Sequence, residues 1–173
     1  MKVGTKSLLF GVHQVILHPI SVALAWTQLY GLPSFKELFC IIIHDWGYWG
    51  LPNMDGTEGE KHPEFAARIA GRLFGAEYHD LCLYHSRHYA KKAGAEPSKL
   101  CWADKLCMKY NPWWIYIPIS ILTGEIYEYR KASADAGFIP LSASNKEWFQ
   151  WIKGRMVEQG MNQKGSVKTL NVT

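Results

Sequence analysis

Phe35-Lys-Glu-Leu-Phe-Cys-Ile-Ile-Ile-His44-Asp45 puts apolar side chains on most sides of a helix and then ends on two titratable residues. Ser34 and Glu37 flank its start at capping-box spacing, and Gly31-Leu32-Pro33 stops whatever precedes it. A helix over 35–46 with so little polar surface is expected in the middle of a domain. Its end is the anomaly, because a charged Asp45 there is expensive unless something compensates it.

Working outward, the helical period continues on both sides. Upstream, Ile20, Ala23, Leu24, Trp26, Thr27 and Tyr30 recur at three- and four-residue spacing over 18–30, with Pro19 suited to the first helical position. Downstream, Gly47, Gly50, Pro52, Asn53, Gly56 and Gly59 make 47–60 a loop. Helices are then expected over 62–74, 78–92 and 99–109. A further apolar segment starts at Pro112, and helices follow over 125–131 and 145–157. No strand, repeat or second core is legible. The expectation is an all-α chain with one domain over 1–157 and a flexible polar tail over 158–173.

The 173 residues suffice for one compact core, and 48% hydrophobic residues exclude wholesale disorder. A formal charge of +4 falls short of the concentrated excess expected for nucleic-acid binding. Cys40, Cys82, Cys101 and Cys107 contain no CxxC pair, fall in helical stretches and read as small buried hydrophobes. The apolar run after Lys2 and Lys6 is interrupted by Gly11 and His13, so no leader is expected. Residues 112–122 reach about half of the ~20 residues a membrane span needs, and they carry Pro118. Together these features point to a cytoplasmic protein. The Trp and Tyr residues of the second half are candidates for a homo-oligomer interface.

His18, His44, Asp45, His62, His85, His88 and Asp104 fall on five expected helices, several among residues that should be buried. A metal site accounts for this economically, since imidazole and carboxylate ligate first-row divalent ions whose charge offsets the carboxylates. Asp55, Glu58 and Glu60 read as solvated loop charges. His13 and His79 read as surface or boundary histidines without a role. Trp113, Trp114 and Tyr116 offer a wall for a flat ring, although such clusters more often fill cores.

The order His, His-Asp, His, His, Asp resembles the HD-domain superfamily from His18 to about Leu106. The pieces are His18-Pro-Ile-Ser-Val-Ala, Ile43-His44-Asp45-Trp-Gly47, His62-Pro-Glu-Phe-Ala-Ala, Tyr84-His85-Ser-Arg87-His88 and Ala103-Asp104-Lys105-Leu106. The resemblance implies a compact helical bundle with a buried metal centre and metal-dependent hydrolysis of a phosphate ester, most often of a nucleotide. It implies one ion on His18, His44, Asp45 and Asp104, and a second on His62 and His85 or His88, with Asp45 bridging or orienting the nucleophile. The ions would be two of Fe, Mn, Co, Ni or Zn. Arg87, His88 and Lys105, beside ligand positions in the chain, are candidates for binding phosphate.

The chain departs from the cyclic-dinucleotide phosphodiesterases of that superfamily. Tyr48 stands where their motif has Lys, and no Gly-Tyr-Pro follows the second histidine region. Two alternatives remain open at this point. The same six ligands serve a mixed-valent di-iron oxygenase acting on a polyol or an aminophosphonate, and the pocket also suits a non-catalytic nucleotide sensor.

Overall fold

A computed structural model describes residues 1–163. Among these residues the chain is all-helical, and its helices converge on a buried cluster of His and Asp side chains. The helices are α1 (Val3–Phe10), α2 (Leu17–Tyr30), α3 (Phe35–Ile43), α4 (His62–Phe74) and α5 (Ala76–Leu83), followed by α6 (Arg87–Ala93), α7 (Lys99–Cys107), α8 (Trp113–Thr123), α9 (Glu125–Asp135) and α10 (Asn145–Asn162). No helix among them is long and apolar enough to cross a membrane. All four cysteines are buried free thiols.

The main core lies where α7 packs between α2 and α10. Val22, Ala25 and Trp26 of α2 meet Leu100, Ala103, Leu106 and Cys107 of α7, with Ile41 of α3 closing the cluster. A second cluster joins Cys40 and Ile43 of α3 to Ala66, Ala67 and Ala70 of α4 and Cys82 of α5. The three alanines present a face without long side chains, so α5 lies close against α4. Tyr116, Ile126, Trp148 and Phe149 knit α8, α9 and α10 into a third cluster. The connection between α9 and α10 is pinned by Arg130, whose guanidinium donates to Asn145 and to the Leu141 and Ala143 carbonyls.

Several boundaries differ from expectation, each for a local reason. The Ser34–Glu37 capping box forms in both directions, as the spacing predicts. However, α3 stops at Ile43, and Phe35, Leu38 and Ile42 reach the surface, so the helix is not buried on all sides. The helix carrying Pro19 begins at Leu17, which places the proline in the first turn, where backbone N–H groups have no intrahelical acceptor. The single helix expected over 78–92 is two, because Ser86 adopts an extended backbone and caps α6 with its side chain. At the C-terminus, α10 continues to Asn162, and Gln159 and Gly160 are buried within the region expected to be tail. The rest of that tail, residues 164–173, lies outside the described residues.

The burial pattern makes a direct contrast testable by urea denaturation. Leu106→Ala should cost about 2–5 kcal/mol, because it opens a cavity among α2, α3 and α7. Ile42→Ala, at the exposed face of α3, should stay within about 0.5 kcal/mol.

Candidate metal centre

Helix ends build this site. His44 caps the C-terminus of α3, Asp45 follows it, His62 opens α4 and His85 lies in the break after α5. His18 sits in the first turn of α2, and Asp104 projects from α7. The last carbonyls of a helix have no intrahelical donor. Two of these histidines supply one: His44 Nδ1 donates to the Ile41 carbonyl at 2.8 Å, and His85 Nδ1 donates to the Cys82 carbonyl. His62 repeats the pattern on the preceding turn, its Nδ1 donating to the Gly59 carbonyl at 2.7 Å. In all three the acceptor lies three residues earlier, and the proton is held on Nδ1.

A neutral imidazole with its proton on Nδ1 carries a lone pair on Nε2. These lone pairs converge. The lone pairs of His62 Nε2 and His85 Nε2 face each other at 3.0 Å, and that of His44 Nε2 faces His18 Nε2 at 3.2 Å. Facing lone pairs repel each other, whereas a cation between such nitrogens is attracted by both. Carbonyl-locked histidines are the usual surroundings of a metal ion, because the lock fixes both tautomer and ring orientation.

Asp45 stands between the two pairs. Its Oδ2 is 3.1 Å from His18 Nε2 and 3.2 Å from His44 Nε2, and its Oδ1 is 3.6 Å from both His62 Nε2 and His85 Nε2. Despite this proximity Oδ2 is buried and accepts no hydrogen bond among the described residues. Asp104 Oδ1 joins the first group, 3.2 Å from His18 Nε2. The result is three overlapping donor groups, His18–His44–Asp45, Asp45–His62–His85 and His18–Asp104–Cys107, each with donor atoms close enough for an ion. The residues therefore fit a divalent metal by donor chemistry, by the orphaned Asp45 oxygen and by the fixed tautomers.

Where no ion is bound, protons on the rings stand in for its charge. Burial opposes the Asp45 carboxylate, but the imidazoles of His44, His18 and His85, where they carry a proton, outweigh it and hold its pKa well below the ordinary range. Asp104 is lowered likewise, against burial, by its bond to His18. Burial and the neighbouring His85 push His62 down to about 3, so its ring is neutral and ready to ligate. His18 moves the other way. Burial opposes its charge, but Cys107, Asp104 and Asp45 outweigh burial and raise its pKa well above 6.5. In the metal-free chain the two carboxylates thus favour a proton on His18.

Two adjoining cavities open from this cluster. One, of about 190 Å³, includes Asp45, His62 and His85 in its lining; the other, of about 330 Å³, extends towards α8–α10. They share His13, Tyr48, Asp55, Arg87, Asp104 and Lys105. Lys105 is held there with its Nζ 3.7 Å from the Met156 sulfur and no carboxylate partner among the described residues. Burial, aided by Arg87, lowers its pKa.

All six sequence-derived donors come together here, and Arg87 and Lys105 line both cavities. His88 does not join them. It is exposed and lines neither cavity, because the Ser86 break removes the helical face that three-residue spacing from His85 implies. Trp113 and Trp114 are likewise at the surface, and only Tyr116 of that trio faces the larger cavity.

Other residues of the site escaped sequence reasoning. Asp55 and Glu60 line the smaller cavity while Asp55 stays exposed and Glu60 half-buried, so they remain solvated charges at its rim. Tyr48 stacks on His62 with ring centroids 4.0 Å apart and braces it. His13, read as a boundary residue, packs beside His18 and is held through Nδ1 by Ser7 and by Glu125, which is fully buried. Burial opposes a charge on His13, but the Glu125 bond prevails and raises its pKa. Only the interrupted apolar run around His13 hinted at it, since its partner is more than a hundred residues away. Gly47 matters by what it lacks: a Cβ there would collide with the His62 backbone.

Compared with protein-family models, with curated proteins and with solved structures, the chain gives no match in any of the three.

Ligation requires a neutral His18, so metal binding must expel the proton this side chain holds. Calorimetric titration of the metal-free chain with zinc, in buffers of different ionisation enthalpy, should show about one proton released per first ion near pH 7. Affinity should weaken as pH falls, because protons compete for the same nitrogen. Heat that does not depend on the buffer, with affinity constant from pH 6 to 8, would contradict this ligand assignment.

Proposed function

We propose that the protein is a metal-dependent phosphohydrolase of the HD type, with Asp45 shared between two ions. Its substrate would be a phosphate ester of a small molecule, with a nucleotide as the class best suited. The observation that carries this reading is Asp45 itself. Each of its oxygens faces a different histidine pair, beside a cavity wall where Arg87 and Lys105 form no ion pair among the described residues.

Bound divalent ions would supply Lewis acidity and activate water near neutral pH. The chain supplies the rest. His18, His44 and Asp104 would hold one ion, and His62 and His85 the other. Lys105 and Arg87 would bind the non-reacting phosphate oxygens and offset the charge that repels an attacking nucleophile. The ammonium of Lys105 acts at short range in a partly enclosed site, where screening by water is weak. His13, fixed through Nδ1 by Glu125, would present its other nitrogen to an oxygen of the substrate.

The test is phosphate release from a panel of phosphorylated metabolites, with Mn, Co or Zn restored to metal-free protein. Turnover should persist without oxygen. A requirement for both iron and oxygen would instead assign the same donors to oxidation. Asp45→Ala should lose most bound metal and lower activity at least about 100-fold. His62→Ala should reduce metal content from about two ions to about one, leaving the His18–His44 group loaded; one ion in the unsubstituted chain under metal excess would refute the two-ion arrangement.

A further inference from the structure

Two buried polar atoms that lack hydrogen-bond partners among the described residues belong to residues lining the cavities. One is Asp45 Oδ2, which the metal reading explains. The other is Gln159 Oε1, in the larger cavity. Gln159 is 8% exposed, and nothing in the metal centre accounts for its unpaired acceptor. Buried polar groups in folded proteins are nearly always paired, and an orphan that lines a cavity points to a group arriving from outside.

The surroundings of Gln159 define that group. Aromatic side chains gather in the larger cavity and are absent from the lining of the smaller one, Tyr48 excepted. They come chiefly from Tyr116, Tyr129, Trp148 and Trp151. Trp148 is buried, and its Nε1 donates to Ser133 Oγ at 3.1 Å, so its polar edge is already satisfied. Arg155 stacks over Phe138 and Trp151, 4.3 and 5.2 Å from their centroids, and braces that rim. At the junction of the two cavities stand Lys105 and Arg87. The larger cavity therefore has a cationic end beside the metal donors, an aromatic body and a lone acceptor. Its volume of about 330 Å³ lies near the bottom of the usual 300–1,000 Å³ range of ligand pockets. It takes one ring system with one anionic group, and a dinucleotide is too large.

Placement of Gln159 is no accident of a frayed terminus. The next residue, Gly160, lies where a Cβ would come within 2.8 Å of the Leu106 side chain and backbone nitrogen. Glycine lets the end of α10 press onto α7 one residue beyond Lys105, and this seats Gln159 beside the cavity.

We infer that the larger cavity binds a single flat ring carrying an anion at one end and a hydrogen-bond donor that meets the Gln159 amide. The inference takes its anionic end from the proposed function; the aromatic body and the Gln159 contact stand on the cavity alone. It assigns to Gln159, outside every piece of the metal-binding pattern, the selection of substrate by its ring.

Non-hydrolysable phosphonates test this separately from catalysis. Binding of 4-aminobenzylphosphonate, benzylphosphonate, cyclohexylmethylphosphonate and inorganic phosphate would be measured by calorimetry on the zinc-loaded full chain. The amino-substituted ring should bind about tenfold tighter than benzylphosphonate, the worth of one net hydrogen bond. Benzylphosphonate should in turn exceed the saturated analogue. Gln159→Leu should abolish the preference for the amino group and leave phosphate affinity unchanged. Trp151→Leu should weaken both aromatic probes relative to phosphate and spare the amino preference. Circular dichroism and zinc content identify any variant that fails to fold, and the preferences of the unsubstituted chain decide the matter without variants. Equal affinity for aromatic and saturated probes, no preference for the amino group, or a preference that survives Gln159→Leu would overturn the inference. Ring-selective binding without phosphate release from any ester would overturn the hydrolase reading alone.

Discussion

The Asp45 carboxylate, held among imidazoles, is the constraint on which the rest of the structure depends. An ionised carboxylate taken out of water is costly unless opposite charge or hydrogen bonds replace the lost hydration. Here α2, α3, α4 and the break after α5 each bring one histidine to it, and with Nδ1 spent on carbonyls in three of them, a proton or a cation among the Nε2 atoms has to supply the opposite charge. That requirement dictates where helices end. His44 and His85 reach the carboxylate because α3 and α5 stop just before them, and the same rings then satisfy carbonyls that the stopped helices leave unpaired. Ending a helix and orienting a candidate metal donor are one event in this chain.

Much of this arrangement was legible in the sequence, for reasons that separate local from long-range physics. The Ser34–Glu37 box, the Gly31-Leu32-Pro33 stop and the start of the helix at His62 are written in adjacent residues, and the structure places them as the spacing requires. The six donors were legible because they recur in a recognisable order and because charged groups stand out in apolar helices. His88 misled for a local reason that spacing alone does not reveal. A capping serine between it and His85 resets the helical phase, so three residues no longer mean one face.

What stayed hidden depends on tertiary approach. His13 gains its place from Glu125, on a helix far along the chain, and neither residue announces the other. That the loop charges Asp55 and Glu60 stand at a cavity rim was not legible, because the direction of a glycine-rich loop is set by what it packs on. Tyr48 was noticed only as a departure from a motif, although its ring braces His62. Gln159 fell in a polar, glycine-containing stretch that reads as frayed, yet its glycine is what lets α10 reach α7.

The two halves of the site are consequently held by different means. Three of the metal-side histidines are oriented by backbone carbonyls, which are present whatever side chains surround them. The ring side is made of packed aromatic faces on α8, α9 and α10, and cores of this kind accept substitution if volume and pattern are kept. The halves meet on α7, where Asp104 faces the histidines and the next residue, Lys105, faces the junction of the cavities. Repacking α8–α10 can therefore change what the cavity admits while the carbonyl-locked histidines keep their geometry. Movement of α7 can do no such thing, because it shifts Asp104 and Lys105 together. On the proposed reading, the ring that the cavity admits is free to vary in this fold, and its anionic attachment is not.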